Sequence, residues 1–362
     1  MNFKKNLFCM ILVFIVTLSS AAVFNYYEDP AGLFRSTRYE EGIATLLLEN
    51  KNVANVSNCD ERLLQKYLIQ KMQSPYDVLV LGSSRTLQIN KNMFSNQTFF
   101  NSSVSAASLE DMMAIFEMYR EKNLLPQKIV LGVDPWIFNK NNTISAWKTL
   151  STEYVQSVED FGGQIENHNM TFANNVGYKK YLELISLQYL KASYKKAKKP
   201  EKEEIDYYAT EQIKIDDNVK LADGSLSYPA SVRDMSVDGA YSEAVNFANQ
   251  QPITFLGQYN AFDDTSVKNF EAFVNYLQAQ NIEVVFFLAP YHPVVYNAFE
   301  NPKYKMVLQA EEYFRAFADQ HQIRVIGSYN PEVCRLNNTD FYDGMHPRRA
   351  AIENIFENNG VN

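Results

Sequence analysis

Asp343-Gly-Met-His346 places a carboxylate three residues before one of only four histidines in the chain. A carboxylate that close can hold an imidazole in one tautomer, which frees the other ring nitrogen to take a proton. Far upstream, the apolar run Val78-Leu79-Val80-Leu81 ends in Gly82-Ser83-Ser84-Arg85. A strand that stops at Gly-x-Ser presents a hydroxyl at its carboxyl end, and a neighbouring base turns that hydroxyl into a nucleophile. Together the two segments make a set for acyl transfer in which Ser84 attacks, His346 is the base and Asp343 orients it. Arg85 reads either as positive charge beside a developing oxyanion or as a surface ion pair. His292, in Tyr291-His292-Pro293, reads as a substrate contact or as a turn residue. No His/Cys spacing suggests a metal site, and the chemistry calls for no cofactor.

The elements that must carry these residues follow from hydrophobic period. Strands are expected over 77–81, 98–101, 128–133, 282–288 and 323–326. Helices are expected over 60–73, 108–122, 264–280 and 304–321, with a last one after His346-Pro347. Alternating strands and amphipathic helices imply a three-layer, flavodoxin-like α/β fold, a parallel sheet with helices on both faces. Such sheets bind ligands beyond the carboxyl ends of their strands, where Ser84, Asp134 and His292 all fall. The alternation breaks over 139–257. A helix is expected there over 177–195, then a solvated charge run over 195–204. A hairpin-like piece over 213–228 turns at Asp223-Gly224. This stretch reads as a large inserted cap, dividing the α/β domain into 28–138 and 258–362.

Residues 1–27 read as a signal anchor. Lys4 and Lys5 precede Leu7 to Phe24, which holds no charged residue. Eighteen helical residues span about 27 Å, close to a hydrocarbon thickness of about 30 Å. The lysines put the N-terminus in the cytoplasm and the remainder outside a bacterial cell membrane. Cleavage near Ser19-Ser20-Ala21-Ala22, releasing a secreted or periplasmic protein, is the alternative. Outside this segment the only cysteines are Cys59 and Cys334, and an oxidising compartment predicts a disulfide between them. A net charge of −8 argues against nucleic acid as a partner.

In order and spacing these segments resemble the SGNH (GDSL-like) hydrolase superfamily. Within it they look most like the membrane-anchored, extracytoplasmic branch that includes DltD-like and alginate O-acetylation-type proteins. The resemblance covers 77–138 and 264 to the end. The family's Gly-Asp-Ser block is Gly82-Ser83-Ser84 here, and its Asp-x-x-His block matches Asp343 and His346 without a gap. The second block's glycine, whose N–H helps hold the oxyanion, falls on Ala106 or Ser105. The third block, Gly-x-Asn-Asp in the family, is Gly132-Val133-Asp134. An ionised carboxylate cannot donate to an oxyanion, so Asp134 is expected to be protonated, to point elsewhere or to do another job. Trp136 offers a ring to stack on a sugar, or packs under the insertion. The resemblance implies a serine acyltransferase or esterase working on O-acyl, chiefly acetyl, groups of cell-surface polysaccharide. A multipass membrane O-acyltransferase would supply the acyl group. The alternative it implies is a catalytically weak or inactive protein that binds polysaccharide or teichoic acid.

Overall fold

Among the residues described by this computed structural model (3–28, 38–56, 59–164, 181–198 and 207–360), nine strands form two sheets. They are β1 (Asn52–Ala54), β2 (Val78–Leu81), β3 (Phe99–Asn101), β4 (Lys128–Gly132), β5 (Tyr208–Thr210), β6 (Val219–Lys220), β7 (Leu226–Ser227), β8 (Glu283–Leu288) and β9 (Arg324–Gly327). The larger sheet is parallel in the order β3-β2-β4-β8-β9. Counted within that sheet alone the order is 2-1-3-4-5, the flavodoxin-like arrangement, whose crevice opens between β2 and β4.

Side chains of alternate residues leave a strand on opposite faces, and here each face meets its own helices. Val78, Val80, Val130, Val285, Phe287 and Ile326 form one core with Ile352, Ile355 and Phe356 of the helix Arg349–Asn358. On the other face the Phe286 ring lies 5.6 Å from Phe270 and 6.3 Å from both Phe314 and Phe317. Those rings come from the helices Asp264–Ala279 and Lys305–Gln320. The three layers predicted from the sequence are present. Helix starts follow capping chemistry. Asp60 accepts from the Arg62 and Leu63 amides, Ser108 and Asp111 form a capping box, and Asp263 accepts from Ser266.

The smaller sheet is antiparallel, in the order β5-β1-β6-β7. Its β6–β7 turn is the expected Asp223-Gly224. Gly224 has φ +80°, and a Cβ there would lie 2.2 Å from the Asn101 carbonyl oxygen. The Asn101 amide donates to the Asp223 carbonyl at 2.8 Å. Only glycine lets this turn dock on the end of β3.

The chain forms two compact units, residues 40–166 with 207–362 and residues 1–39 with 167–206. Residues 139–257 therefore contribute to both. In the second unit the helix Phe3–Glu28 contains a stretch, Asn6–Glu28, long and apolar enough to cross a membrane. It pairs with the helix Leu187–Lys198, and the Asn25 side-chain amide donates to the Leu184 carbonyl at 2.8 Å. The start of the helix expected over 177–195 and most of the charge run lie outside the described residues.

The expected disulfide is not formed: Cys59 and Cys334 are both free thiols. Cys59 lies just before the helix Glu61–Lys71 and lines the cleft beside Ser84. Cys334 sits against the Ser328 carbonyl, lining a different cleft with Glu311 and Arg315. Burial pushes both thiols up, Cys334 to about 11.

Candidate active site

β2 ends at Gly82 because the next turn needs room. A Cβ on Gly82 would meet the Thr86 hydroxyl at 2.7 Å, and one on Gly132, at the end of neighbouring β4, would meet the Thr86 methyl at 2.4 Å. The Thr86 hydroxyl bridges the Ser83 carbonyl and the Ser103 hydroxyl, both at 2.7 Å. This tight packing lets the chain turn at once into a short helix, Ser84–Thr86. Ser84 therefore stands at the carboxyl edge of the sheet, over the β2/β4 crevice.

Ser84 Oγ lies 2.9 Å from His346 Nε2. His346 Nδ1 lies 2.8 Å from Asp343 Oδ2 and 3.0 Å from Oδ1. An ionised carboxylate only accepts, so Nδ1 carries the ring proton and Nε2 is left to accept from the serine hydroxyl. Asp343 is itself held: Oδ1 accepts from the Met345 and His346 amides at 2.7 and 2.9 Å. Burial raises the Asp343 pKa, but the adjoining His346 ring and these hydrogen bonds outweigh it, leaving the carboxyl below its ordinary value. The three residues, 262 positions apart at their extremes, thus form one continuous line of hydrogen bonds with the geometry of a Ser-His-Asp triad.

Arg85 is not on the surface. It is 1% exposed, and every side of its guanidinium is engaged. Nη1 donates to Asp134 Oδ1 at 2.7 Å, Nε donates to the Met345 carbonyl at 3.2 Å, and Nη2 makes a short bond to the Ala289 carbonyl. Its Cζ stacks 3.8 Å from the Tyr291 ring centroid. Neither sequence expectation describes this: the guanidinium is buried and held by Nε, Nη1 and Nη2 rather than aimed at the Ser84 cleft, and the pair it makes is buried. Asp134 has the other job left open for it. Burial pushes its carboxyl up, opposed by Arg85, the Ser83 hydroxyl and His346. Beside a guanidinium that does not lose its proton, the carboxylate stays charged. Arg85 and Asp134 thereby tie the ends of β2, β4 and β8 to the loop carrying His346.

The choice between Ser105 and Ala106 is narrowed by their amides. Ser105 N–H makes a short bond to the Glu61 carboxylate. The Ser84 and Ala106 amides donate no hydrogen bond among the described residues. Ala106 has φ 49°, the left-handed conformation in which a glycine would be unstrained. It is held there from both sides. Arg62, in a buried 2.9 Å pair with Asp111, donates to the Ala106 carbonyl, and the Trp136 indole donates to the Ala107 carbonyl at 2.9 Å. Trp136 is itself 1% exposed, so it packs and offers no face to a sugar.

His292 lies among the residues at the sheet edge but points into the protein. It is fully buried, its Nδ1 accepts from the Val294 amide, and its own amide donates to the Gly344 carbonyl at 3.1 Å. Burial lowers its pKa and keeps it neutral. It starts the helix Pro293–Ala298 and braces the Asp343–His346 loop.

Ser84 opens on a cleft of about 720 Å³, whose walls include Asp60, Glu61, Asn218, Lys220 and Tyr228. Sequence reading singled out neither Lys220 nor Tyr228. Both sit on or beside strands of two residues, too short to show a period. Tyr228 packs against Tyr342 and approaches the His346 ring, centroids 6.3 Å apart. Lys220 is 3% exposed, and burial lowers its pKa. No family model and no curated protein matches this chain.

Proposed function

We propose that this protein is a membrane-anchored serine O-acyltransferase or esterase of the SGNH type, acting on acyl groups of cell-surface polysaccharide. The observation that carries the reading is the continuous Ser84–His346–Asp343 relay at the carboxyl edge of a flavodoxin-like sheet, open to a large cleft. Ser84 Oγ attacks the ester carbonyl as His346 Nε2 takes its proton. The C–O bond to the leaving alcohol then breaks, and that alcohol receives the proton from His346. A hydroxyl of the acceptor, or water, repeats the two steps on the acyl-enzyme. The Ser84 and Ala106 amides are the oxyanion donors. The helix Phe3–Glu28 serves as the anchor, with the catalytic unit outside the membrane and a multipass acyl donor as its partner.

A second reading is favoured by one observation. Asp134 is committed to Arg85, so its side chain does not supply the third oxyanion donor, a loss of about 3 kcal/mol. A protein so handicapped would bind polysaccharide or teichoic acid and turn over slowly. Intact-mass measurement after exposure to a fluorophosphonate separates the two. One adduct on the full-length protein, absent from Ser84→Ala and His346→Ala, is expected. An unlabelled wild type would discard the catalytic reading and leave the binding one.

A further inference from the structure

The helix Leu187–Lys198 has two faces of different kinds. Tyr189 and Ser193 are buried, and the helix packs against Phe3–Glu28. On the opposite side Leu187, Lys191, Tyr194 and Lys198 follow one another at spacings of four, three and four residues, which puts them on a single stripe. Leu187 is 75% and Tyr194 57% exposed, and Leu182 and Ile185, just before the helix, are about half exposed. The Lys198 ammonium lies 4.7 Å from the Tyr194 ring centroid.

Depth is set by one hydrogen bond. Asn25, which donates to Leu184, lies about 28 Å along the helix from Asn6. A hydrocarbon core is about 30 Å thick. If the N-terminal helix spans, as the reading above requires, Leu184 is held at the far hydrocarbon boundary and the exposed apolar residues lie beside it. Aliphatic and tyrosine side chains alternating with lysines suit that layer: the rings and methyls enter the acyl boundary while the ammonium groups reach phosphates.

We propose that residues 181–198 form a second membrane contact, an interfacial foot that lies on the outer leaflet and prefers anionic headgroups. A charge run that reads from sequence as solvated loop thus begins on a lipid-facing helix.

The test uses full-length protein in liposomes of phosphatidylcholine with and without phosphatidylglycerol, carrying Leu187→Trp. Both native tryptophans are buried, and the unsubstituted protein supplies their background. Lipids brominated near the headgroup are expected to quench the new tryptophan about twofold, with acrylamide excluded. Changing Lys191 and Lys198 to Gln weakens the phosphatidylglycerol-dependent part about fivefold per lysine. A tryptophan open to acrylamide and untouched by bromolipid overturns the proposal. Shielding from both quenchers also overturns it, and places a second copy or a protein partner on the stripe. Carbonate extraction separates the two readings: a protein washed off the membrane refutes the anchor and the foot together, whereas a retained protein with an unquenched tryptophan refutes the foot alone.

Discussion

Replacing Arg85 with Met is the sharpest test of how the site is assembled. The substitution leaves the Asp134 carboxylate, 3% exposed, without its 2.7 Å partner, and removes the donors to the Met345 and Ala289 carbonyls. Deleting one member of a buried ion pair costs about 3–5 kcal/mol, most of it the penalty of the stranded charge. For a unit of this size that corresponds to a fall in Tm of roughly 5–8 °C. The cycle is completed by Arg85→Met/Asp134→Leu, which removes the stranded charge and is expected to recover half or more of the loss. Arg85→Lys should not rescue, because one ammonium cannot reach three acceptors held in a fork. Thermal unfolding gives the stability term, and the fluorophosphonate labelling rate of the folded protein reports the His346 loop, since Met345 loses its tether. A single variant within about 1 kcal/mol of wild type, or a double variant no better than the single, would refute the reasoning.

Three further outcomes are expected. Asp343→Asn should slow Ser84 labelling by about 10⁴ through the wrong histidine tautomer. Because the Asp343 pKa lies below its ordinary value, the stability it adds is complete above about pH 4 and is lost as pH falls through the lower folded value. Wild-type and Asn Tm values should therefore converge in acid. Lys220→Met should raise Tm at pH 7, since burial holds the ammonium at a cost. The gap should narrow as pH rises toward about 10.4, where the buried amine loses its proton before the unfolded one; a variant less stable than wild type at pH 7 would contradict this. Ala106→Gly should gain about 1 kcal/mol in denaturant unfolding by relieving the φ of 49°, with labelling retained.

The serine, the histidine and the aspartate were legible because each sits in a local signal, a strand end or an i,i+3 pair. The sheet was legible because its strands are continuous apolar runs between amphipathic helices. Arg85 was not, since its partners lie 49, 204 and 260 residues away and only the closed sheet brings them together. Trp136 took the packed of its two readings, 1% exposed, and nothing in Asp-Pro-Trp-Ile tells a buried indole from an exposed one. The cysteine pairing was an inference from compartment and count, and geometry sent the two thiols to different clefts. Residues 139–257 broke the βα alternation visibly, but no local pattern could divide them between the two units.

The docked β6–β7 hairpin has a mechanical consequence. Its turn is bonded to Asn101, its Leu226 amide to the Leu87 carbonyl at 2.8 Å, and its Leu226 carbonyl to Arg349 at 2.8 Å. A wall fastened to the serine-bearing loop on one side and to the C-terminal helix on the other moves with the nucleophile, not over it. On the proposed polysaccharide reading, the cleft would then serve as an open trough along which a long chain slides without a lid opening for each unit. On the acyl-transfer reading, the contest between water and acceptor is settled there by how long the polymer stays seated.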